Sequence, residues 1–169
     1  MSGTGFANAS ASTPDFADSF RGLATWARVV ECHDGDTCKV VFAPNAALPA
    51  IMYKFTVRLF GIDTSEMTSA TPALRARAVR ARNRLLQLSG LTISDLDRAM
   101  TRNQVIAELA VAPRVVFVVC HEMDKYGRLL VEVSAGPGQR TFNQVLLAEG
   151  LAYAYSGDTK MSESEQLAL

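Results

Sequence analysis

The chain has 169 residues, 49% hydrophobic and 20% charged, enough for one compact domain with a real core and some tail. Its 17 basic and 17 acidic residues cancel, so any affinity for phosphate has to come from a local patch, which disfavours a passive nucleic-acid coat. Three cysteines, Cys32, Cys38 and Cys120, do not make a disulfide-stapled secreted scaffold. With no leader-like start and no apolar run of bilayer length, the expectation is an intracellular, most simply cytoplasmic, protein without a membrane partner.

Residues 1–12 are small and polar and read as a flexible tail. Thr13-Pro14-Asp15 starts a short docking helix within 13–25, with Phe16, Phe20 and Leu23 as its stripe and Gly22 as its end. The runs WARVVEC from Trp26 and TCKVVF from Thr37 are β-branched and read as a hairpin. Asp34-Gly35 supplies the turn, the aspartate bonding back to the backbone and the glycine tolerating positive φ. A proline-bearing connection, 43–50, leads to a third strand from about Tyr53 to Ile62. Strict alternation there puts Arg58 and Asp63 on opposite faces, so a shared site needs a twist or bulge, and Gly61 is the place for it.

From Pro72 to Gly90 the spacing predicts a helix with Leu74, Ala78, Ala81, Leu85 and Leu88 as its apolar stripe. Arg75, Arg77, Arg80, Arg82 and Arg84 fill other positions, by default a solvated face, alternatively a nucleic-acid contact surface. Thr92 to Ala112 reads as a further helix or helix pair, capped by Ser94 and stopped by Pro113. The run RVVFVVC ending at Cys120 is a buried strand, Asp124 to Gly127 a type I turn, and Arg128 opens the strand LLVEVS. Thr141 begins a short helix ended by Gly150, and Leu151 to Tyr155 continues extended. Ser162 and Glu165 have capping-box spacing, but 161–169 is too short for a stable isolated helix and reads as a tail.

The ordered set DGDT (34–37), RLFGIDTSE (58–66), DKYGR (124–128) and NQVLLAEGLAYAY (143–155) resembles the staphylococcal nuclease family. The match runs from about Ala27 to Tyr155. It implies an α+β fold, a five-stranded OB barrel with packed helices, within a domain at 26–160 that carries an inserted helical segment at about 90–113. It also implies a calcium-dependent nuclease that cuts DNA and RNA with little sequence preference and leaves 3′-phosphate ends.

Residue by residue, the resemblance puts Ca²⁺ on the carboxylates of Asp36 and Asp63 and the backbone carbonyl of Thr64, a donor set suited to a hard cation. Glu66 falls on the general base, and Arg58 and Arg128 on the two arginines that hold the phosphate. Metal and guanidinium forks together stabilise the charge that builds on the phosphate oxygens. Lys125 and Tyr126 resemble contacts to a terminal phosphate, and Tyr153 or Tyr155 a nucleotide-contacting tyrosine, with barrel-end packing as the alternative for both tyrosines. Ser65 stands where the family commonly has proline, and the neutral net charge differs from its basic members. The rival reading is an inactive module of the same fold that binds nucleic acid or a protein. A monomer is expected. Cys32-His33, Cys38 and Cys120-His121 lack a close chelating pair and read as buried cysteines and rim histidines rather than a zinc site.

Overall fold

The β-branched runs become the walls of a barrel in the computed structural model, which describes residues 18–111 and 114–169. Strand β1 (Ala24–Cys32) pairs antiparallel with β2 (Thr37–Phe42), and β2 with β3 (Tyr53–Leu59). A turn at Phe60-Gly61 separates β3 from the two-residue β4 (Ile62–Asp63). Strands β5 (Val116–Met123) and β6 (Leu129–Ser134) follow, and the closed order is β1-β2-β3-β6-β5. The β3–β6 pair is parallel, whereas β1–β5 and β5–β6 are antiparallel. Val40, Phe42, Val57, Leu59, Val116, Val118, Leu129, Val131 and Val133 are buried. Each contributes on the order of 1.5–3 kcal/mol by leaving water, which is what holds the barrel closed.

The chain enters earlier than the Trp26 start expected from composition. Gly22, at φ +80°, turns the backbone so that its N–H and the Leu23 carbonyl bond Cys120, extending the β1–β5 seam. Residues 18–22 form turns, and Phe20 packs edge-on to Phe55 at 5.3 Å. The tail 1–12, the helix start at Thr13-Pro14-Asp15, Phe16 and Pro113 lie outside the described residues.

The arginine-bearing helix α1 spans Pro72–Leu88 and buries Leu74, Ala78, Ala81 and Leu85. Its arginines are not simply a solvated face. Arg82 is buried, Arg80 forks onto Asp97 at 2.5 and 2.7 Å, and Arg84 reaches Glu149. Arg80 and Arg84 tie α1 to neighbouring segments.

The segment after it is half as helical as its composition suggested, because α2 spans only Arg102–Val111. Ser94 is exposed and begins no helix. The reason is local: the Asp95 side chain accepts the Asp97 N–H at 2.9 Å, offering the backbone a turn in place of a helix. Asn83 of α1 then donates to the carbonyls of Leu96 and Arg98, both at 2.8 Å, and fixes that turn. The cap lies at Thr101, whose N–H donates to the Gln104 side chain while its hydroxyl accepts the Gln104 N–H. Helix α2 packs on β1, where Arg28 donates to the carbonyls of Leu109 and Ala110, and Arg102 forks onto Glu31 at 2.7 and 2.9 Å.

Helix α3 (Phe142–Ala148) opens with the capping box of Thr141 and Gln144, and β7 (Tyr153–Ala154) then pairs with β4. The last residues, expected as a tail, form α4 (Glu163–Leu167) behind the Ser162–Glu165 capping box. Five helical residues do not hold in isolation; contacts to α1 supply what the segment lacks. No helix among the described residues is long and apolar enough to cross a membrane.

Candidate active site

Three chain positions converge where the β1–β2 turn meets the end of β3. Asp34 builds that turn by accepting the N–H groups of Asp36 and Thr37 on one carboxylate oxygen, at 3.2 and 2.7 Å. Gly35 is needed there for closeness rather than for positive φ. A Cβ at Gly35 would lie 2.5 Å from that of Ala81 and 2.9 Å from Thr64 Cγ2, so the turn sits directly on α1. Asp36 enters β2 from this turn, and Arg58 is the register partner of Thr37 across β2–β3. The break between β3 and β4, with Gly61 at φ +76°, reverses the alternation that would separate Arg58 from Asp63.

The result is a buried ion-pair network. Arg58 Nη1 donates to Asp36 Oδ1 at 2.8 Å, and Nη2 donates to Asp63 Oδ1 and to the Ile62 carbonyl. Asp36 also accepts the Thr37 hydroxyl at 2.9 Å and the Thr64 N–H at 3.1 Å. Asp63 also accepts the hydroxyl of Tyr153, its cross-strand partner on β7. Burial pushes Asp36 up to about 8, with the charges of Asp34 and Asp63 adding to it and Arg58 opposing. Burial pushes on Asp63 too, but bonds from Tyr153 and Arg58 outweigh it and hold Asp63 below the ordinary carboxylate range.

Beyond Asp63 the chain leaves the sheet. Thr64 and Ser65 are buried, and the Ser65 hydroxyl donates to Gln166 Oε1 of α4 at 2.9 Å. Glu66 is exposed and accepts from Lys160 Nζ at 2.7 Å, and the same ammonium lies 3.4 Å from Asp63 Oδ2.

Arg128 approaches from the β5–β6 turn. Asp124 builds that turn by accepting the N–H groups of Tyr126 and Arg128, and its other oxygen takes Arg128 Nε at 2.7 Å. Those bonds hold Asp124 below its usual range despite the opposing desolvation. Tyr126, 72% exposed, carries both Arg128 and Lys125 over its ring at 5.3 Å.

These parts share one opening. A small polar pocket of about 90 Å³ is lined by Asp34, Asp36, Arg58, Asp63, Glu66, Arg128 and Lys160, among others. Arg58 and Arg128 also border a cleft of about 700 Å³ whose walls include Lys125, Tyr126 and Tyr155. The two tyrosines after α3 divide: Tyr153 is buried against Asp63, while Tyr155 lines the cleft with Arg58 5.5 Å over its ring. No residue of the inserted segment among those described borders either space.

Sequence reasoning missed Lys160, Gln166 and the bond from Tyr153 to Asp63. Lys160 lies outside every recognised motif, and only its position in space marks it. Among the described residues no group of three or more His, Cys, Asp or Glu side chains is gathered to hold a metal. Asp36, Asp63 and the Thr64 carbonyl nevertheless supply only oxygen, the donor type a hard divalent cation takes, with waters completing its shell. Arg58 and Lys160 hold those same carboxylates, so a cation would compete with them. The cysteines stand apart as buried free thiols, burial pushing Cys38 up to about 12, and His121 stacks on Phe60 at 4.1 Å.

A family model described as "Staphylococcal nuclease homologue" matches residues 56–169. A search of the curated proteins returned no significant match.

Proposed function

Because the chain belongs to the family of staphylococcal nuclease homologues, we propose that it is a calcium-dependent nuclease that hydrolyses phosphodiester bonds of DNA and RNA with little sequence preference. The observation that carries this reading is the single polar pocket shared by Arg58, Arg128, Asp36, Asp63 and Glu66, opening beside a cleft of nucleotide size. A barrel needs none of these charges for packing, and buried ion clusters beside a cleft are typical of sites that handle charge.

Asp36, Asp63 and the Thr64 carbonyl would hold the calcium, which when bound polarises a phosphate oxygen. Glu66 takes the proton of the attacking water, the water oxygen bonds to phosphorus, and the bond to the 5′ oxygen breaks, that oxygen taking a proton from solvent to leave as a 5′-hydroxyl while the other product carries the 3′-phosphate. The Arg128 guanidinium, anchored through Nε by Asp124, and Arg58 face the phosphate and stabilise the charge that grows on its oxygens. Lys125, Tyr126 and Tyr155 grip the nucleotide along the cleft, Tyr155 offering its ring to a base.

A second reading is favoured by one observation: Arg58 and Lys160 already neutralise the acids that would hold the metal and activate the water. On that reading the domain binds nucleic acid without cutting it. Cleavage of single-stranded DNA, duplex DNA and RNA with calcium, with magnesium and with chelator decides between them. The expected outcome is calcium-dependent cleavage abolished by chelator and reduced at least about a hundredfold by Glu66→Gln, the lower end of what a general base contributes. Metal-independent binding without product at high protein concentration would replace the nuclease with the binding module.

A further inference from the structure

Glu66 lies on the connection 64–71, which belongs to no helix or strand, yet this connection is fastened to the C-terminal end at four points. The Ser65 hydroxyl donates to Gln166 Oε1 at 2.9 Å, and the Ser69 and Thr71 hydroxyls donate to the two oxygens of Glu163 at 2.8 and 2.7 Å. The fourth point is the carboxylate itself, held by Lys160 at 2.7 Å. The fastening is rigid on its far side as well. Gln166 is buried, its amide donates to the Met161 carbonyl at 2.9 Å, and its own carbonyl accepts from Arg77 of α1. Ser65 and Ser69 are buried too, so their bonds form away from competing water.

We propose that α4 and Lys160 form a clamp that positions Glu66, with Gln166 and Glu163 fixing the backbone and Lys160 fixing the carboxylate. This deepens the nuclease reading and rests on it. An exposed glutamate on an irregular connection samples many rotamers, and a base is effective only when its oxygen is held against the water it activates. Lys160 also approaches Asp63, so one ammonium sets the spacing between the base and a carboxylate assigned to the metal. It is a positioning residue, acting through Glu66.

The test uses the full chain as wild type, Lys160→Met, Lys160→Arg and Gln166→Ala. It has two readouts: kcat and KM for calcium-dependent cleavage of single-stranded DNA, and amide hydrogen exchange across 64–71. Lys160→Met should lower kcat about tenfold or more while KM moves less than about twofold, the signature of lost positioning rather than lost binding. Lys160→Arg should restore most of the rate. Gln166→Ala should speed exchange across 64–71 about tenfold and leave the barrel strands unchanged, as expected for a local opening. Unchanged exchange in Gln166→Ala, or an unchanged kcat in Lys160→Met, overturns the clamp. A raised kcat overturns it as well and makes Lys160 a cation that obstructs the site. If the wild type cleaves nothing, the nuclease reading fails, and the exchange data still decide whether the connection is clamped.

Discussion

Arg58 is held by two carboxylates and holds both in turn, with its side chain only 9% exposed and those of Asp36 and Asp63 at 3% and 2%. Removing the guanidinium leaves two buried acids facing each other, and the stranded charge costs more than the lost attraction. Arg58→Ala is therefore expected to lower unfolding free energy by about 3–5 kcal/mol in urea denaturation. A loss below about 1 kcal/mol, the value of an exposed pair, would mean that water reaches these acids. The acids and both arginines singled out by the ordered motifs are brought to one pocket, and Asp34 and Asp124 build the turns that carry Asp36 and Arg128. Lys160 was not legible. It reaches Glu66 across 94 residues of chain, and no local pattern encodes that meeting. Tyr153 lies on the two-residue β7 and Tyr155 just past its end, so which of them meets the acids depends on the β4–β7 pairing, which sequence alone does not settle.

At the level of elements, the hairpin turn and α1 are locked together by the absence of a side chain. Gly35 keeps an ordinary backbone conformation, so alanine would meet no φ penalty and only a collision with Ala81 and Thr64. Gly35→Ala should cost about 1–3 kcal/mol by overpacking. Pairing it with Ala81→Gly should recover part of that loss, which separates contact from conformation in a double-mutant cycle on denaturation midpoints. The strands, α1 and α3 could be read from pattern because their periodicity and stop signals agree. The inserted segment could not be read so far. Its apolar residues Leu91 and Ile93 are buried without a helix, as the Asp95 turn and the grip of Asn83 override the helical spacing. The C-terminal helix was visible only as a cap, since its partner surface on α1 is not adjacent in sequence.

Across the whole molecule, the inserted helix is fastened to the barrel through Glu31. The side-chain bond from Arg102, helped by Lys39 and opposed by desolvation, lowers this carboxylate to about 2 from its usual 4.5. A depressed carboxylate contributes stability that is complete above the unfolded value and lost as pH falls toward the folded one. Wild type should thus melt higher than Glu31→Gln at pH of about 6, and the gap should narrow as pH is lowered through about 4. A gap that stays constant in thermal melts would show that the pairing carries no net stability.

The parallel β3–β6 seam has a temporal consequence. Arg58 lies on β3 opposite Leu130 of β6, and Arg128 stands just before β6, so the two guanidiniums meet only when strands distant in the chain have docked. Such non-local pairing forms late, after its loop-closure entropy has been met. A nascent chain or refolding intermediate whose hairpins have formed but whose seam is open keeps the Arg58 cluster and the Arg128–Asp124 pair apart, with no pocket between them. On the proposed nuclease reading, competence to hydrolyse a phosphodiester arises in the last cooperative step of folding. The single tryptophan, Trp26, sits across the β1–β5 seam from Phe117 with rings 5.4 Å apart, a natural fluorescent clock for when the barrel closes.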